Sequence, residues 1–256
     1  MLDRWTLNLS KEYNNTIDAV GIVLCGGNGS RLHEVTQGRI PKHLLPLTPN
    51  VTILDAVVYS LRKSGIEHVI LVTTDRTTAL IDKHRTTLPD LYEGSVCIEN
   101  EHHDKRGAAS VMKAILPHIP PNMPIVKMLG DVLQPGLDLK KMIEAHTLNN
   151  ARYTAAVSLR GTEKYKAIID RDTNQILQVH KINNGTDVPG FTLTGTWIIG
   201  PEGLSDYIDS LDRTSFLHRS IETHSLYGYI FSGPSININT PEDYLLTQSV
   251  VSEFSI

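Results

Sequence analysis

Cysteine is scarce. Cys25 and Cys97 are the only two in 256 residues, and Cys25, closing an apolar run, reads as a buried reduced thiol that packs as a small hydrophobe. Histidine is better represented, yet His102-His103 lacks any Cys/His spacing that would complete a zinc site. Neither sign of charge dominates: 24 basic and 28 acidic residues leave a net charge of −4. That balance offers no polyanion-binding surface, so nucleic acid is not an expected partner. The longest apolar runs fall far short of a membrane span. Asp3, Arg4 and Lys11 break up an N-terminus without a signal-peptide core, and a cytoplasmic protein with no membrane partner is expected. Internal repeats, low-complexity tracts and linker-like composition shifts are missing too. A chain of 28.4 kDa and 40% hydrophobic residues can bury a sizeable core, and the expectation is a single domain over residues 19–256. Residues 1–18 form an extension in which Trp5, Leu7 and Leu9 alternate, as in a short edge strand or a partner-binding arm.

What is present is the stretch Gly21-Ile-Val-Leu-Cys-Gly-Gly-Asn-Gly-Ser-Arg-Leu32, continued by Ile40-Pro-Lys-His-Leu-Leu-Pro46. The apolar run Val20 to Leu24 breaks into Gly26, Gly27 and Gly29, and a glycine-rich turn after a strand lets backbone N–H groups approach phosphates closely. Arg31 and Lys42 bring two cations to the turn, so the stretch reads as a triphosphate cradle. It is not a Walker loop, which needs Gly-Lys-Ser/Thr after four intervening residues. The dinucleotide fingerprint fails as well, because Leu32 stands where the third glycine belongs and no acidic residue ends a second strand about 20 residues on.

From Val20 onward strands alternate with helices. Thr52-Ile-Leu-Asp55 resembles a capping box, and the apolar face of Ile53, Ala56, Val57 and Leu61 predicts a helix that stops near Gly65. Val69 to Val72 predicts a buried parallel strand, residues 76–87 a helix, Val96 to Ile98 a third strand and Gly107 to Ile115 another helix. Ile125 to Asp131 predicts a strand ending in Gly-Asp, which projects the Asp131 carboxylate from the C-terminal end, where ligands bind in open parallel sheets. A helix over 137–147, a strand over Tyr153 to Ser158, a hairpin of 164–170 with 176–181, and a strand over Phe191 to Ile199 follow. Gly195 interrupts this last strand as at a place where a ligand or backbone comes close. Thr240 as N-cap, Pro241 at the first helical position and Asp243 at the third begin a final helix by local physics alone.

Taken together, Leu24-x-Gly-Gly-x-Gly-x-Arg-Leu32 and Pro41-Lys42-x-Leu44-Leu45-Pro46 resemble the opening of the sugar-1-phosphate nucleotidyltransferases. That family includes glucose-1-phosphate thymidylyltransferases and mannose-1-phosphate guanylyltransferases, which make a nucleotide sugar and pyrophosphate from an NTP and a sugar 1-phosphate. The resemblance runs from Val20 to about Ser249. It implies an α/β, three-layer, Rossmann-like fold with a mostly parallel sheet and a small antiparallel acceptor lid. Leu24, Gly26, Gly27 and Gly29 would hold the nucleotide, with His102 and Gly107 near the base. Arg31 would stabilise the β- and γ-phosphates, Lys42 the α-phosphate region and the attacking phosphate, and Asp131 would ligate Mg²⁺. No Ser-His-Asp arrangement is apparent, and none is required, because the nucleophile is already an anion.

Residues 164–170, 176–181 and 191–199 resemble the sugar-binding half of the family, in which a Tyr-Gly-Val strand, a Glu-Lys pair and a Thr-Gly-x-Tyr strand surround the sugar. Lys181, Thr194, Gly195 and Trp197 are the implied acceptor residues. Here Lys166 replaces the glycine, His180 the glutamate and Trp197 the tyrosine. Asn237 stands where the family usually has the second magnesium-ligating Asp. Its amide oxygen ligates Mg²⁺ without adding charge, and a plain strand-end polar residue is the other reading. His102 occupies the place of a Gln in pyrimidine-selecting members, and Pro-Lys-x-Leu-Leu-Pro resembles some guanylyl-transferring ones. Two alternatives stand beside NTP and sugar 1-phosphate as the partners. One is a non-catalytic regulatory homologue that binds a nucleotide sugar; the other is transfer to a non-sugar acceptor such as a cyclitol phosphate, phosphocholine or the molybdenum cofactor. Self-association is left open.

Overall fold

The structure, a computed structural model, describes residues 16–27, 29–100, 108–182, 188–210 and 213–250. The Trp5-Leu7-Leu9 alternation, His102 and Gly107 lie outside the described residues. Strand β1 (Val20–Leu24) leads into the glycine-rich loop and helix α1 (His33–Thr36), and β2 (Pro46–Thr48) pairs with β3 (Val51–Thr52) as a separate two-stranded sheet. Next come α2 (Ile53–Lys63), β4 (His68–Thr73), α3 (Asp75–Arg85), α4 (Pro89–Tyr92), β5 (Ser95–Glu99) and α5 (Ala108–Ile115). Gly130 and Asp131 separate β6 (Ile125–Leu129) from β7 (Val132–Leu133). The order continues with α6 (Leu139–Leu148), β8 (Tyr153–Gly161), β9 (Tyr165–Ile169), β10 (Ile176–Lys181), β11 (Phe191–Ile199), α7 (Pro201–Ile208), α8 (Arg213–Glu222), β12 (Leu226–Asn237) and α9 (Pro241–Val250).

The main sheet runs β5-β4-β1-β6-β11-β8-β12-β7, with the β9–β10 hairpin attached through β9 to β11. Strands β5, β4, β1 and β6 are parallel neighbours, as are β8 and β12, while β11 runs antiparallel between the two groups. A mostly parallel sheet is buried on both faces, and adjacent residues of β1 divide accordingly. Val23 packs in a core with Leu54, Val57, Leu61 and Ile198, and Ile22 packs in a second core with Met112, Ile115, Trp197 and Phe216.

The helix starts follow from side-chain chemistry. The Thr52 hydroxyl accepts from the Asp55 N–H at 3.3 Å and the Asp55 carboxylate accepts from the Thr52 N–H at 2.7 Å, so two otherwise unpaired donors are satisfied reciprocally. Asp55 also accepts from Tyr92 at 2.7 Å and His84 at 2.9 Å, tying α2 to α3 and α4. Thr74 caps α3 in the same manner with Thr77, which starts that helix at Asp75, one residue ahead of the expected span. Thr240 and Asp243 cap α9, through an Asp243 N–H to Thr240 hydroxyl bond of 3.2 Å and a Thr240 N–H to Asp243 carboxylate bond of 2.9 Å.

Candidate functional site

The site gathers where parallel strands end. Leu24 stands beside Leu129 in the β1–β6 register, and the Gly130 N–H donates to the Leu24 carbonyl at 2.9 Å, so the glycine loop and the Gly-Asp turn leave the sheet side by side. Gly27 and Gly29 have φ of 109° and 56°, a left-handed region open to glycine at little cost. The loop wraps the stem of Lys42: added Cβ atoms would come within 3.8 Å of Lys42 Cε at Gly27 and of Lys42 Cβ at Gly29. Gly130 is favoured for another reason. A Cβ there would meet His43 Cδ2 at 3.0 Å and Cys25 Sγ at 3.1 Å, so a side chain at this position would have to push those neighbours aside by a few tenths of an ångström.

Lys42 pairs directly with the Asp131 carboxylate, and their side chains are only 9% and 12% exposed. Mutual attraction and the shared hydrogen bond hold both charges in a place where either alone would be strongly destabilising. Beneath the pair, His43 is fully buried with neither ring nitrogen hydrogen-bonded among the described residues. Burial lowers its pKa to about 4, with Asp131 pulling up and Lys42 pulling down. The imidazole is therefore neutral at pH 7. The Cys25 thiol, equally buried, is pushed up by desolvation and by the charges of Cys97 and Asp131.

The second strand end reaches the same place through β7. Asn237 lies opposite Val132, and the Ile238 N–H donates to the Asp131 carbonyl at 2.9 Å. Asp131 thus stands opposite Ile238, one step along the antiparallel ladder from Asn237. The Asn237 side-chain oxygen accepts from Asn239 Nδ2 at 2.6 Å, and the Asn239 oxygen accepts from Arg31 Nη2 at 2.9 Å. Arg31, exposed on the far side of the glycine loop, is in this way steered toward the strand end that carries Asn237. Sequence reasoning missed Asn239. The available signal was period: in Asn-Ile-Asn, residues 237 and 239 fall on one side of an extended chain.

Among the described residues no group of three or more His, Cys, Asp or Glu side chains is placed to hold a metal. The Asp131 carboxylate and the Asn237 amide oxygen are the side-chain oxygens here that would hold Mg²⁺, a cation that binds by one or two protein oxygens and completes its shell with water and substrate phosphates.

The implied acceptor residues separate. Lys181 is exposed and lines a cleft of about 570 Å³ between the β9–β10 hairpin and α8, together with Tyr165, Val179, His218 and Glu222. The Thr194 hydroxyl is buried and donates to the Ala156 carbonyl at 2.9 Å. At Gly195 a Cβ would sit 2.6 Å from Leu129 Cδ1, so what comes close here is the half-buried side chain of the neighbouring strand β6. Trp197 is 4% exposed, packs on Phe216 with ring centroids 5.9 Å apart and donates from Nε1 to the Thr194 carbonyl at 3.2 Å. Its ring belongs to the core. A polar series joins these strands: the Thr196 hydroxyl donates to the Gln134 amide oxygen, Gln134 Nε2 to the Ser235 hydroxyl at 3.4 Å, and Ser235 to the Glu163 carboxylate.

The nucleotidyl transferase family model matches residues 20–180, from β1 through the glycine loop, Lys42 and Asp131 into the β9–β10 hairpin. The chain belongs to that family. No curated protein matches it. Solved structures of similar fold include a Bacillus anthracis protein described as a glucose-1-phosphate thymidylyltransferase, 17% identical over 93% of this chain and 97% of that one, with a TM-score of 0.78. The inositol-1-phosphate CTP transferase of T. maritima is 19% identical over 92% and 98% of the two chains, with a TM-score of 0.71. HddC of Yersinia pseudotuberculosis is 20% identical over 90% and 98%, also with a TM-score of 0.71. At these identities the likeness is one of fold, and it places this nucleotidyl transferase on the expected three-layer α/β architecture. Among the described residues no helix is long and apolar enough to cross a membrane.

Proposed function

We propose that the protein transfers a nucleotidyl group from an NTP to a sugar 1-phosphate, giving a nucleotide sugar and pyrophosphate, with magnesium. The observation that carries this reading is the convergence of the glycine loop, the Lys42–Asp131 pair and the Arg31–Asn239–Asn237 series at adjoining strand ends.

The chemistry is in-line: an oxygen of the acceptor phosphate forms a bond to the α-phosphorus, the bond from that phosphorus to the bridging oxygen breaks, and pyrophosphate departs with the electron pair. The nucleophile is already anionic, so no base has to remove a proton, and the protein's task is alignment and charge neutralisation. Lys42, its stem fixed under the glycine loop, presents its ammonium to the α-phosphate and the incoming phosphate. Arg31, turned by Asn239, takes the outer phosphates that leave. His43 stays neutral and fills the space under Gly130 without adding a competing charge. Asp131 and Asn237 would hold Mg²⁺, whose charge offsets that of the NTP oxygens when it is bound.

The test is thermal melting with ATP, GTP, CTP, UTP and dTTP, with and without magnesium, since a ligand bound only by the folded state raises its apparent stability. A magnesium-dependent rise with a subset of these NTPs is expected. Melting unchanged by all five contradicts the triphosphate cradle.

A further inference from the structure

The polar surface beyond Asn237 carries a cation that the transfer chemistry does not use. Lys166 lies on β9 between Tyr165 and Ala167, and Ala167 and Ile169 are buried in the second core. Alternation along a strand therefore sends Lys166 to the opposite face. Across the ladder it faces Thr192 of β11, and its ammonium donates to the Thr192 hydroxyl at 3.0 Å. On its other side it faces His180 of β10, whose Nε2 donates to the Gln178 side-chain oxygen at 3.1 Å.

This face is continuous with the strand end at Asn237. A Cβ on Gly161 would touch both Thr192 Cγ2 at 2.6 Å and Glu163 Oε2 at 2.7 Å, which places Thr192 and Glu163 against one another. The neighbouring Thr162 hydroxyl accepts from the Asn237 N–H at 2.9 Å. Lys166 thus stands next to Thr192 and the polar groups of Glu163, Ser235 and Gln134 beyond it, while His180 flanks Lys166 on the side away from them. Lys166 and His180 are both half-buried. Among the described residues no ion pair joins Lys166 to a carboxylate. Among the described residues the Lys166 ammonium donates to a neutral hydroxyl, which leaves it donors with which an anionic ligand group can form a charge-assisted hydrogen bond.

We propose that Lys166, with His180 opposite it, binds a second anionic group of the acceptor, so that the acceptor is a sugar 1-phosphate carrying a further carboxylate or phosphate. The proposal rests on the nucleotidyl-transfer reading of the site and narrows its acceptor class. The polar series of Gln134, Ser235 and Glu163 suits the hydroxyls of such a ring, and Lys166 its extra charge.

Two readouts keep this apart from the transfer reading. In the first, calorimetric binding of glucose 1-phosphate, glucuronic acid 1-phosphate and glucose 1,6-bisphosphate is compared for the native chain, Lys166→Gln and Lys166→Arg, with melting curves confirming that each variant is folded. The native chain should bind at least one dianionic-end probe about tenfold or more tightly than glucose 1-phosphate, as expected for one added charged hydrogen bond. The better of the two tells carboxylate from phosphate. Lys166→Gln should lose most of that preference and Lys166→Arg should keep it. Equal binding of all three probes, or a preference untouched in Lys166→Gln, overturns the proposal. The second readout is pyrophosphate release with each of five NTPs and magnesium. If the binding preference and its dependence on Lys166 hold but no NTP yields pyrophosphate, the transfer reading falls and the anion site stands; fastest release with glucose 1-phosphate overturns the anion site.

Discussion

Lys42 and Asp131, 89 residues apart in sequence, form a nearly buried ion pair at the point where the glycine loop and the Gly-Asp turn leave the sheet. The pair holds Lys42 and the Asp131 carboxylate, the proposed metal ligand, in register before any substrate arrives. An NTP with its metal offers each partner a replacement of opposite charge, so the pair can be exchanged for substrate contacts without leaving either charge bare.

Asp131→Asn should lower turnover by about 10²–10³-fold, the usual loss for one electrostatic stabiliser. It should also lower stability, because removing one partner of a buried pair costs about 3–5 kcal/mol. The double change Lys42→Met with Asp131→Leu should regain most of that stability and no activity, read by denaturant melts and pyrophosphate release. A double variant as unstable as Asp131→Asn would show that the two charges do not act as a pair.

Asn237→Asp should lower the magnesium concentration needed for half-maximal turnover several-fold, because a carboxylate attracts the hard cation more strongly than an amide oxygen does. Asn239 Nδ2 can donate to the new carboxylate as it does to the present oxygen, so the local geometry is retained. A magnesium dependence identical to that of the native chain would remove residue 237 from the ligand set.

Asn239→Ala should free Arg31 and raise the KM for NTP several-fold, while lowering stability by only about 1 kcal/mol, as for the loss of a partly exposed hydrogen-bonding side chain. Kinetics at fixed acceptor concentration would separate this from loss of turnover. An unchanged KM would mean that Arg31 needs no help in finding the phosphates.

Acid stability should depend on Asp55. Burial pushes its carboxyl up, but hydrogen bonds from His84, Thr52 and Tyr92 outweigh that and leave it below its ordinary 3.8. A depressed folded-state pKa stabilises fully above the unfolded value and loses that contribution as pH falls below 3.8 toward the folded one. Asp55→Asn should therefore melt lower than the native chain at pH 7, and the gap should close as pH drops through that range. A gap independent of pH would assign the effect to packing.

Much of the scaffold was legible in the chain. Phe191–Ile199 is strand over its full expected span, because apart from Leu193 and Gly195 every residue there is β-branched or aromatic. The Thr52/Asp55 and Thr240/Asp243 caps were readable because they are local. Strand β12 was not: Gly228, Gly233 and Pro234 interrupt it, and its register shifts between Phe231 and Pro234, so no clean alternation announces twelve residues of strand. Helices α7 and α8 were also passed over, their apolar positions scattered among Glu202, Asp206, Arg213 and Arg219. At the site, Arg31, Lys42 and Asp131 were marked by their motifs. Asn239, Gln134 and Glu163 were not, since their importance arises from contacts made across 62 to 208 residues of chain. Lys166 attracted attention only as a departure from a family pattern. The face it occupies is set by pairing with β11, which no local signal encodes.

The most direct test of nucleotidyl transfer is pyrophosphate release measured with ATP, GTP, CTP, UTP and dTTP in turn, against a panel of sugar 1-phosphates and with or without magnesium. Comparing the native chain with Lys42→Ala ties any release to the site. Magnesium-dependent release that needs both an NTP and an acceptor, and that falls about 10²-fold or more in Lys42→Ala, is expected. Release that persists at the native rate in Lys42→Ala, or that occurs without any acceptor, would contradict nucleotidyl transfer at this site.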